Sequence, residues 1–516
     1  MENAAAIILS PRDNIATLLG DVRKEEVVRC RCGSDRFELK VHMDIPFGHK
    51  IAIRNIQNGT PVIKYGEGIG LASRDIVVGE HVHVENCESE RGRGDLAAEA
   101  AEDAALCPEA SASTLPKDVR TLEKPLLNAD GRTFLGYPRP DGSAGTRNLV
   151  AVISCVVCAN DIVSKLGEIE GAAGFTHQQG CSQTKPDIDR IHRVLVNLAA
   201  NPNVGAVLYL SLGCESVPSN IVAEEARKLT GKPVELLVIQ KEGGSQETIK
   251  EASKIIESLK SRIACDPQPV PIQKLRLGLK CGSSDTTQGL SANAAAGAVT
   301  DILAACGAQV VIGETTEFMG AEHIAARRAR TPAVAAAIAG AVRRMEDRAR
   351  AVGVDMRGGQ PTRGNIAGGL TTIEEKSLGA LAKSGSAVFE DVVDYGEPYA
   401  GPGLVMMDAP GREPEMLTGL AAAGCNLILF TTGRGAPQGF PFVPVIKVTG
   451  NQRTWEHMQE HMDSCVAGIM TGDAAISDAA GHLFNELIEF ASGRKTKAEI
   501  TRYNNSMNIY VTGPVI

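Results

Sequence analysis

Beyond residue 130 the chain repeats one pattern: a short apolar run, a polar loop bearing glycine, then a helical stretch. The runs are LVAVIS (149–154), VGAVLYLSL (204–212), LRLGL (275–279), QVVIG (309–313), GLVMMD (403–408), NLILFTT (426–432) and PVIKVT (444–449). Strands buried on both faces read as continuous apolar stretches, and parallel neighbours need a crossover helix, so the pattern predicts parallel α/β architecture. It also predicts where polar residues gather. In an open parallel sheet, ligands bind beyond the carboxyl ends of the strands, where strand order reverses. Here VLYLSL leads into GCES, LRLGLK into CGSSD, QVVIG into ETTE, LVMMD into APGRE and LILF into TTGRGAPQG. Proline and polar residues near 263–273 (within IACDPQPVPIQK, 263–274) predict a break, giving a central α/β domain over 126–268 and a second over 269–516.

The first 88 residues differ. Short strand-like runs such as VVRCRC, FELKV, KIAIRNI, PVIKYG and HVHVEN alternate with Gly, Asn and Asp, and no helix of useful length fits, which predicts a small all-β unit over 1–88. Residues 89–125 are acidic and rich in Ala, Ser and Pro, with almost no large apolar side chains. Such a segment buries too little surface to order itself and reads as a flexible linker. The net charge of -9 argues against a nucleic-acid surface. No apolar run reaches the roughly 18 residues of a membrane span. The thirteen cysteines are scattered and odd in number, unlike a disulfide framework, and no basic segment precedes the first apolar stretch. A cytoplasmic protein is expected.

Three cysteines fall in the polar loops with Gly beside them: Cys181 in THQQGCSQ, Cys214 in LGCES and Cys281 in KCGSSD. Thiolates favour iron or zinc, but these spacings match no compact zinc motif, so a shared site must assemble through the fold. ETTEFMGAEH adds Glu314, Glu317, Glu322 and His323; a helix starting near Phe318 would place Glu322 and His323 in its first turn, at the strand edge. His177 shares a loop with Cys181 and is a candidate base or ligand. TRGNIAGGLTTIEEKSLG sets Arg363, Asn365 and Lys376 among glycines at a helix start, a suitable cradle for a carboxylate or a phosphate, although TTIEE also reads as an ordinary capping sequence. Arg434 stands at another strand end. In the β unit His42, His49, Lys50, Lys64, His81 and His83 crowd together, and the two histidines of HVH share a strand face; a solvated polar face is the competing interpretation. HMQEH (457–461) formally matches an inverzincin motif but lacks its context. CVVC (155–158) lies on a strand run rather than at a helix start, so at most Cys158 approaches the edge.

Strings along nearly the whole chain resemble the family of altronate and galactarate dehydratases: PRDNIA, GHKIAIRNI, VIKYGEGIGLA, GEHVHVEN, GYPRPDGSAGTRN, THQQGCSQ, NPNVGAVLYLSLGCE, IQKEGGS, KCGSSD, GETTEFMGAEH, GNIAGGLTTIEEKSLG and FTTGRG. The resemblance implies an N-terminal SAF (β-clip) domain, a linker, a central α/β domain that helps form a homodimer, and a Rossmann-like C-terminal domain. It implies a divalent metal, Fe(II) before Mn(II), and dehydration of an aldonic or aldaric acid. Sulfolactate sulfo-lyases, with the β module as a separate subunit, share the family; fusion favours the sugar-acid branch. The loops QQGCSQTKPD and SCVVCAN depart from the family forms and leave the substrate open.

The expected chemistry removes the C2 proton and the C3 hydroxyl of a 2,3-dihydroxy acid, so a Lewis acid and a proton shuttle are needed. His177, His49 or His83 is expected as acid or base, with Lys376 also catalytic. Asp13, Asn14, Lys50, Lys64, Arg147, Asn148, Ser283, Ser284, Asp285, Arg363, Asn365 and Arg434 are expected around the substrate. The metal is expected to draw on Cys181, Cys214, Cys281, Glu317, Glu322 and His323, as a mononuclear ion ahead of a three-cysteine iron–sulfur cluster. A nucleotide-dependent enzyme is disfavoured, because no GxGxxG is followed by an acidic residue about 20 positions on. A non-catalytic sugar-acid-binding protein is the remaining alternative.

Overall fold

The computed structural model describes residues 5–91, 129, 131–353, 360–504 and 506–516. Apart from residues 89–91, the expected linker over 89–125 lies outside the described residues.

The N-terminal unit is all β among the described residues. Its larger sheet runs in the order Asp35–Lys40, Val27–Cys32, Ala5–Ile8, Ile15–Leu18, Lys50–Ala52, His81–Val82, and a smaller one joins Pro61–Lys64, Glu67–Ala72 and Cys87–Glu88. The strand alternation follows the pleat: Val28 and Cys30 are buried while Val27 and Arg29 are exposed. Strands Ala5–Ile8, Ile15–Leu18 and Glu67–Ala72 were not among the runs read from sequence; the last carries two glycines and a polar start that mask it.

The second domain is a four-stranded parallel sheet, ordered Ala172–Phe175, Leu149–Ser154, Val204–Ser211, Val234–Val238. The central strand Val204–Ser211 is buried throughout, as a strand covered on both faces requires. The third domain is a seven-stranded parallel sheet ordered Phe389–Val393, Gly403–Met407, Gln309–Ile312, Arg276–Gly282, Leu427–Thr432, Val445–Thr449, Ser464–Cys465. All seven apolar runs are strands of these two sheets. From Arg276–Gly282 the chain adds Gln309–Ile312, Phe389–Val393 and Gly403–Met407 on one side and then Leu427–Thr432, Val445–Thr449 and Ser464–Cys465 on the other, so strand order reverses between Arg276–Gly282 and Leu427–Thr432, and ligands of such sheets bind at that reversal. The expected break near 263–273 is not open chain: Gln268–Pro271 pairs antiparallel with Thr133–Pro138 in a small separate sheet.

The units share their cores. One apolar cluster unites Ile15, Val62, Ile69 and Val82 of the β unit with Ile373, Leu378 and Leu381 of the third domain, and another joins the second and third domains through Val194, Tyr209, Leu417 and Phe430. The β unit is therefore packed in place rather than tethered, which is what a site built across the seam needs.

Candidate active site

Two buried lysines define where the β unit meets the third domain. Lys50 leaves strand Lys50–Ala52 and Lys64 ends strand Pro61–Lys64, and both side chains are fully buried. A buried ammonium is tolerated only when it is paired. Glu375, on helix Ile373–Leu381, answers both: Lys50 Nζ donates to Glu375 Oε2 at 2.9 Å and to Gly369 O at 2.6 Å, and Lys64 Nζ donates to Glu375 Oε1 at 2.7 Å. Burial pushes the Glu375 carboxyl up, but the two ammoniums outweigh it and hold it down to about 2. The helix is capped by Thr372, whose Oγ1 accepts from Glu375 N–H at 3.2 Å and donates across the seam to Ile69 O. Gly369 has φ +91, and a Cβ there would collide with Gly48 O and the Thr286 hydroxyl, so only glycine lets the loop close on the β unit.

Beside this pair stand His49, His81 and His83, each offering one ring nitrogen within 4.8 Å of the other two. His49 Nδ1 lies 3.0 Å from His81 Nε2, and His83 Nδ1 lies 3.1 Å from Thr371 Oγ1. Burial and the Lys50 charge hold His49 below its ordinary value; burial and His49 take His81 down to about 4; burial and Lys50 take His83 down to about 3. All three imidazoles are therefore neutral at neutral pH, the state in which they ligate metals. Three neutral imidazoles with no carboxylate among them suit a divalent transition ion that keeps positions open. A cavity of about 380 Å³ opens next to them, lined by Thr371, Thr372, Gln360, Arg91 and Glu346 among others.

A second polar cluster lies at the sheet's reversal point. Lys280, Glu314, Glu317 and Lys383 are all buried. Lys280 pairs with Glu314, Lys383 pairs with Glu317, and Lys383 Nζ lies 3.9 Å from Glu314. Glu314 Oε2 accepts from Cys281 N–H at 2.8 Å. Burial and the neighbouring Glu317 carboxylate push Glu314 up to about 7, whereas for Glu317 the Lys383 ammonium overcomes burial and lowers it. Glu314 has φ 64, a left-handed backbone that a non-glycine residue holds at a cost of about 1–3 kcal/mol and that clusters at functional sites. Between the two clusters lies a small cavity of about 10 Å³, close to the minimum for one water, lined by Tyr65, Cys281, Ser284, Asp285, Gln288, Asn293 and Lys376 among others. Tyr65 belongs to the β unit, so all three features meet along one seam.

Comparison with known proteins decides the family. The altronate/galactarate dehydratase SAF domain matches residues 4–90, the second domain of D-galactarate dehydratase/altronate hydrolase matches 136–264, and the C-terminal domain of D-galactarate/altronate dehydratase matches 272–514. An altronate dehydratase of Bacillus subtilis is 34% identical over 96% of this chain and 96% of its own. One from Escherichia coli is 31% identical over 94% of each. The β subunit of a (2R)-sulfolactate sulfo-lyase of Chromohalobacter salexigens is 38% identical over 72% of this chain and 96% of its own. The chain belongs to the altronate/galactarate dehydratase family. It is thus a hydro-lyase.

In this dehydratase the residues singled out from sequence fall into groups. His49, His83, Lys50 and Lys64 are brought together, with His81. Asn365, Ser283, Ser284, Asp285, Lys376, Arg363 and Arg434 gather over the reversal point: Asn365 Nδ2 donates to Ser284 O at 2.9 Å, Lys376 Nζ lies 3.5 Å from Asn365 Oδ1, Arg434 N–H donates to Ser283 O at 3.0 Å, and the Arg434 guanidinium donates to Gly364 O at 2.7 Å, next to Arg363. Asp285 is a buried helix cap, accepting from Thr287 N–H and from Asn451 Nδ2 at 2.9 Å each. Asp13 and Asn14 hold the loop that carries Lys64 and Tyr65. Asp13 accepts from Gly66 N–H at 2.7 Å and Asn14 from Ile63 N–H at 2.7 Å.

Other residues are placed differently from the expectation. His177 is fully buried, its Nδ1 accepting from Gln179 N–H at 3.1 Å and its Nε2 donating to Ser154 O at 2.8 Å. Burial takes it down to about 4, so it is a neutral loop pin with neither nitrogen spare for acid–base work. Arg147 and Asn148 lie at the amino end of strand Leu149–Ser154, opposite the ligand edge. Arg147 is bound to Glu499 at 2.8 Å and to backbone carbonyls, and Asn148 to Ile263 O at 2.7 Å. The expected metal set is divided. Cys281 is buried against Gln288 and Asn293, and burial pushes its thiol up to about 11. Cys181 and Cys214 stand on the second domain's sheet edge. Glu322 pairs with Arg91, and His323 lies 3.9 Å from Glu67, on helix Glu322–Ala326. Among the described residues only His49, His81 and His83 bring three donor atoms within 4.8 Å of one another. Sequence reasoning missed Glu375, Tyr65 and Lys280. A signal existed for Lys280, a charge directly following the apolar Leu277–Gly278–Leu279 stretch of a strand, which buries only with a partner.

Proposed function

We propose that this enzyme dehydrates a sugar acid, an altronate-type aldonate or a galactarate-type aldarate, to a 2-keto-3-deoxy acid, with a divalent ion held by His49, His81 and His83. The observation that carries the metal assignment is the neutral, mutually close imidazole triad at the seam. Fe(II) ranks ahead of Mn(II), because imidazole is a good donor for iron. When bound, the ion supplies Lewis-acid stabilisation of negative charge on substrate oxygens. The chain's own residues do the rest. Lys376, Arg363 and Arg434, with Asn365, hold the substrate's carboxylate and hydroxyls over the reversal point. Glu314 exchanges the proton: its carboxyl changes state near neutrality, which is where a general base or acid works best. Lys280 and Lys383 stabilise its anionic form. Loss of the C2 proton and the C3 hydroxide leaves an enol, which tautomerises to the keto acid.

The test is keto-acid release from altronate, galactarate and sulfolactate, with Fe(II) or Mn(II) under reducing conditions. His81→Asn lowers turnover by more than about 100-fold on this reading. Undiminished turnover in the presence of chelator overturns it. A second reading has a specific support: identity to the sulfolactate sulfo-lyase β subunit is 38%, above that to the altronate dehydratases, though over a smaller share of this chain. Sulfite release from sulfolactate without turnover of either sugar acid would establish it. We also take the enzyme to be a cytoplasmic homodimer; sedimentation at the mass of a single chain contradicts the dimer.

A further inference from the structure

Away from the seam, three exposed thiols stand along one edge of the second domain. Cysteine is among the most buried residue types, yet Cys158, Cys181 and Cys214 are all exposed. They follow three adjacent parallel strands: Cys158 comes after Leu149–Ser154, Cys181 after Ala172–Phe175 and Cys214 after Val204–Ser211. This is the carboxyl edge, where parallel sheets take their ligands.

The three loops are laced to one another. Val157 N–H donates to Gln179 O at 3.0 Å, Ser216 N–H to Gly180 O at 2.9 Å, and Ser182 N–H to Ser216 Oγ at 3.3 Å. Gly180 has φ +111, and a Cβ there would strike the backbone of Cys155 and Val156, so the middle loop is pressed onto the first. The polar side chains here serve this framework. His177 bridges Ser154 O and Gln179 N–H, Gln183 accepts from Gly180 N–H at 3.0 Å, and Glu215 accepts from Gly213 N–H at 2.7 Å. The thiols do not: Cys181 makes one weak contact, 3.7 Å to Ser182 Oγ.

We propose that Cys158, Cys181 and Cys214 hold a [4Fe–4S] cluster whose fourth iron has no protein thiolate. Soft thiolates select zinc, Cu(I) or iron–sulfur centres. A single tetrahedral ion with metal–sulfur bonds of about 2.3 Å needs its thiolates about 4 Å apart. Among the described residues no cysteine belongs to a set of three donor atoms within 4.8 Å of one another, so the three thiols are not gathered closely enough for one ion to hold them all, and a polynuclear centre is the alternative. A fully ligated cluster takes four cysteines, and this edge supplies three. On binding, each thiol loses its proton and forms one Fe–S bond, and the remaining iron is open to an oxygen ligand. Cys281, buried and hydrogen-bonded in the third domain, is not part of this set. The thiol loops abut the third domain through Gln178 N–H to Asn508 Oδ1 at 3.2 Å, Asn508 Nδ2 to Glu415 Oε1 at 3.0 Å, and Ile516 N–H to Ser182 O at 2.8 Å. Glu415 lies in the first turn of helix Glu413–Ala422, which follows Gly411, whose carbonyl lies 3.3 Å from Lys280 Nζ.

The test measures composition rather than activity, so it stands apart from the function proposed above. Full-length enzyme is purified without oxygen and assayed for iron and acid-labile sulfide. The expectation is about four sulfides per chain, with broad visible absorption that bleaches on reduction. Iron at the histidine triad adds no sulfide, which makes sulfide the deciding count. Cys158→Ser, Cys181→Ser and Cys214→Ser each lose the sulfide while circular dichroism stays that of the parent, and Cys265→Ser, an exposed thiol elsewhere, keeps it. In the parent protein, alkylation followed by mass spectrometry finds the three cysteines protected before chelation and reactive after it. Absence of acid-labile sulfide in the anaerobic parent, or full sulfide in the three serine variants, overturns the proposal.

Discussion

Replacing Glu375 with alanine strands two buried ammoniums at once. Lys50 and Lys64 have no exposed route to water, and Glu375 is the carboxylate that neutralises both. Removing one partner of a buried pair costs about 3–5 kcal/mol. A second route gives a similar figure: a carboxyl held at about 2 rather than its ordinary 4.5 corresponds to roughly 3 kcal/mol of folding stability. Burial draws Lys50 below its ordinary value, which offsets part of that gain, so the lower end of the range is expected. Because the folded value is depressed, the contribution is complete above pH 4.5 and disappears as pH falls through about 2. The single tryptophan, Trp455, reports on this seam. It sits on helix Gln452–His457, where Arg453 pairs with Asp21 at 2.7 Å and stacks 4.7 Å over the Phe47 ring of the β unit. Urea unfolding followed by Trp455 fluorescence should show the first transition of Glu375→Ala weakened by about 3 kcal/mol. The combination Lys50→Met, Lys64→Met and Glu375→Leu should recover most of that loss, since an apolar replacement of a buried ion pair is often neutral or stabilising. A Glu375→Ala protein within about 0.5 kcal/mol of the parent would refute the reasoning, because that is the size of an ordinary surface change.

Three further outcomes follow from the site. Glu317→Gln removes a neighbour that raises Glu314 and frees Lys383 to pair with it, so the alkaline-going rise of kcat/KM, centred near pH 7 in the parent, should move to lower pH; an unmoved limb removes Glu314 from the proton step. Arg147→Ala should lower stability by about 2–3 kcal/mol through loss of its Glu499 pair and carbonyl bonds, yet leave KM within about twofold; a large rise in KM would return Arg147 to the substrate. His177→Ala should cost about 1–3 kcal/mol by orphaning Ser154 O and Gln179 N–H, with kcat lost only in proportion to thiol-loop disorder; abolished turnover in a protein of parental stability would show direct catalysis.

The parallel sheets were legible because burial on both faces writes itself into a sequence as uninterrupted apolar runs, and their carboxyl ends could be read off as the next residues. The histidine cluster was half legible: HVH places His81 and His83 on one strand face, but His49 joins them only through pairing of Lys50–Ala52 with His81–Val82. Burial could not be read for polar residues. Lys50 and Lys64 looked like substrate cations because their partner, Glu375, lies on a helix more than 300 residues away, and no periodicity links the two. His177 and Arg147 misled for the same reason. Each stands in a distinctive motif, and the backbone groups that occupy them are invisible without the fold. The cysteines were grouped by glycine neighbours, which joined Cys281 to Cys181 and Cys214, whereas strand adjacency joins those two to Cys158.

The most direct trial is anomalous diffraction at the iron edge from crystals of the Fe(II)-loaded enzyme soaked with altronate. A peak within bonding distance of ring nitrogens from His49, His81 and His83, with a substrate oxygen on the same ion, is the predicted result. Substrate bound productively with no peak at that triad would contradict the account.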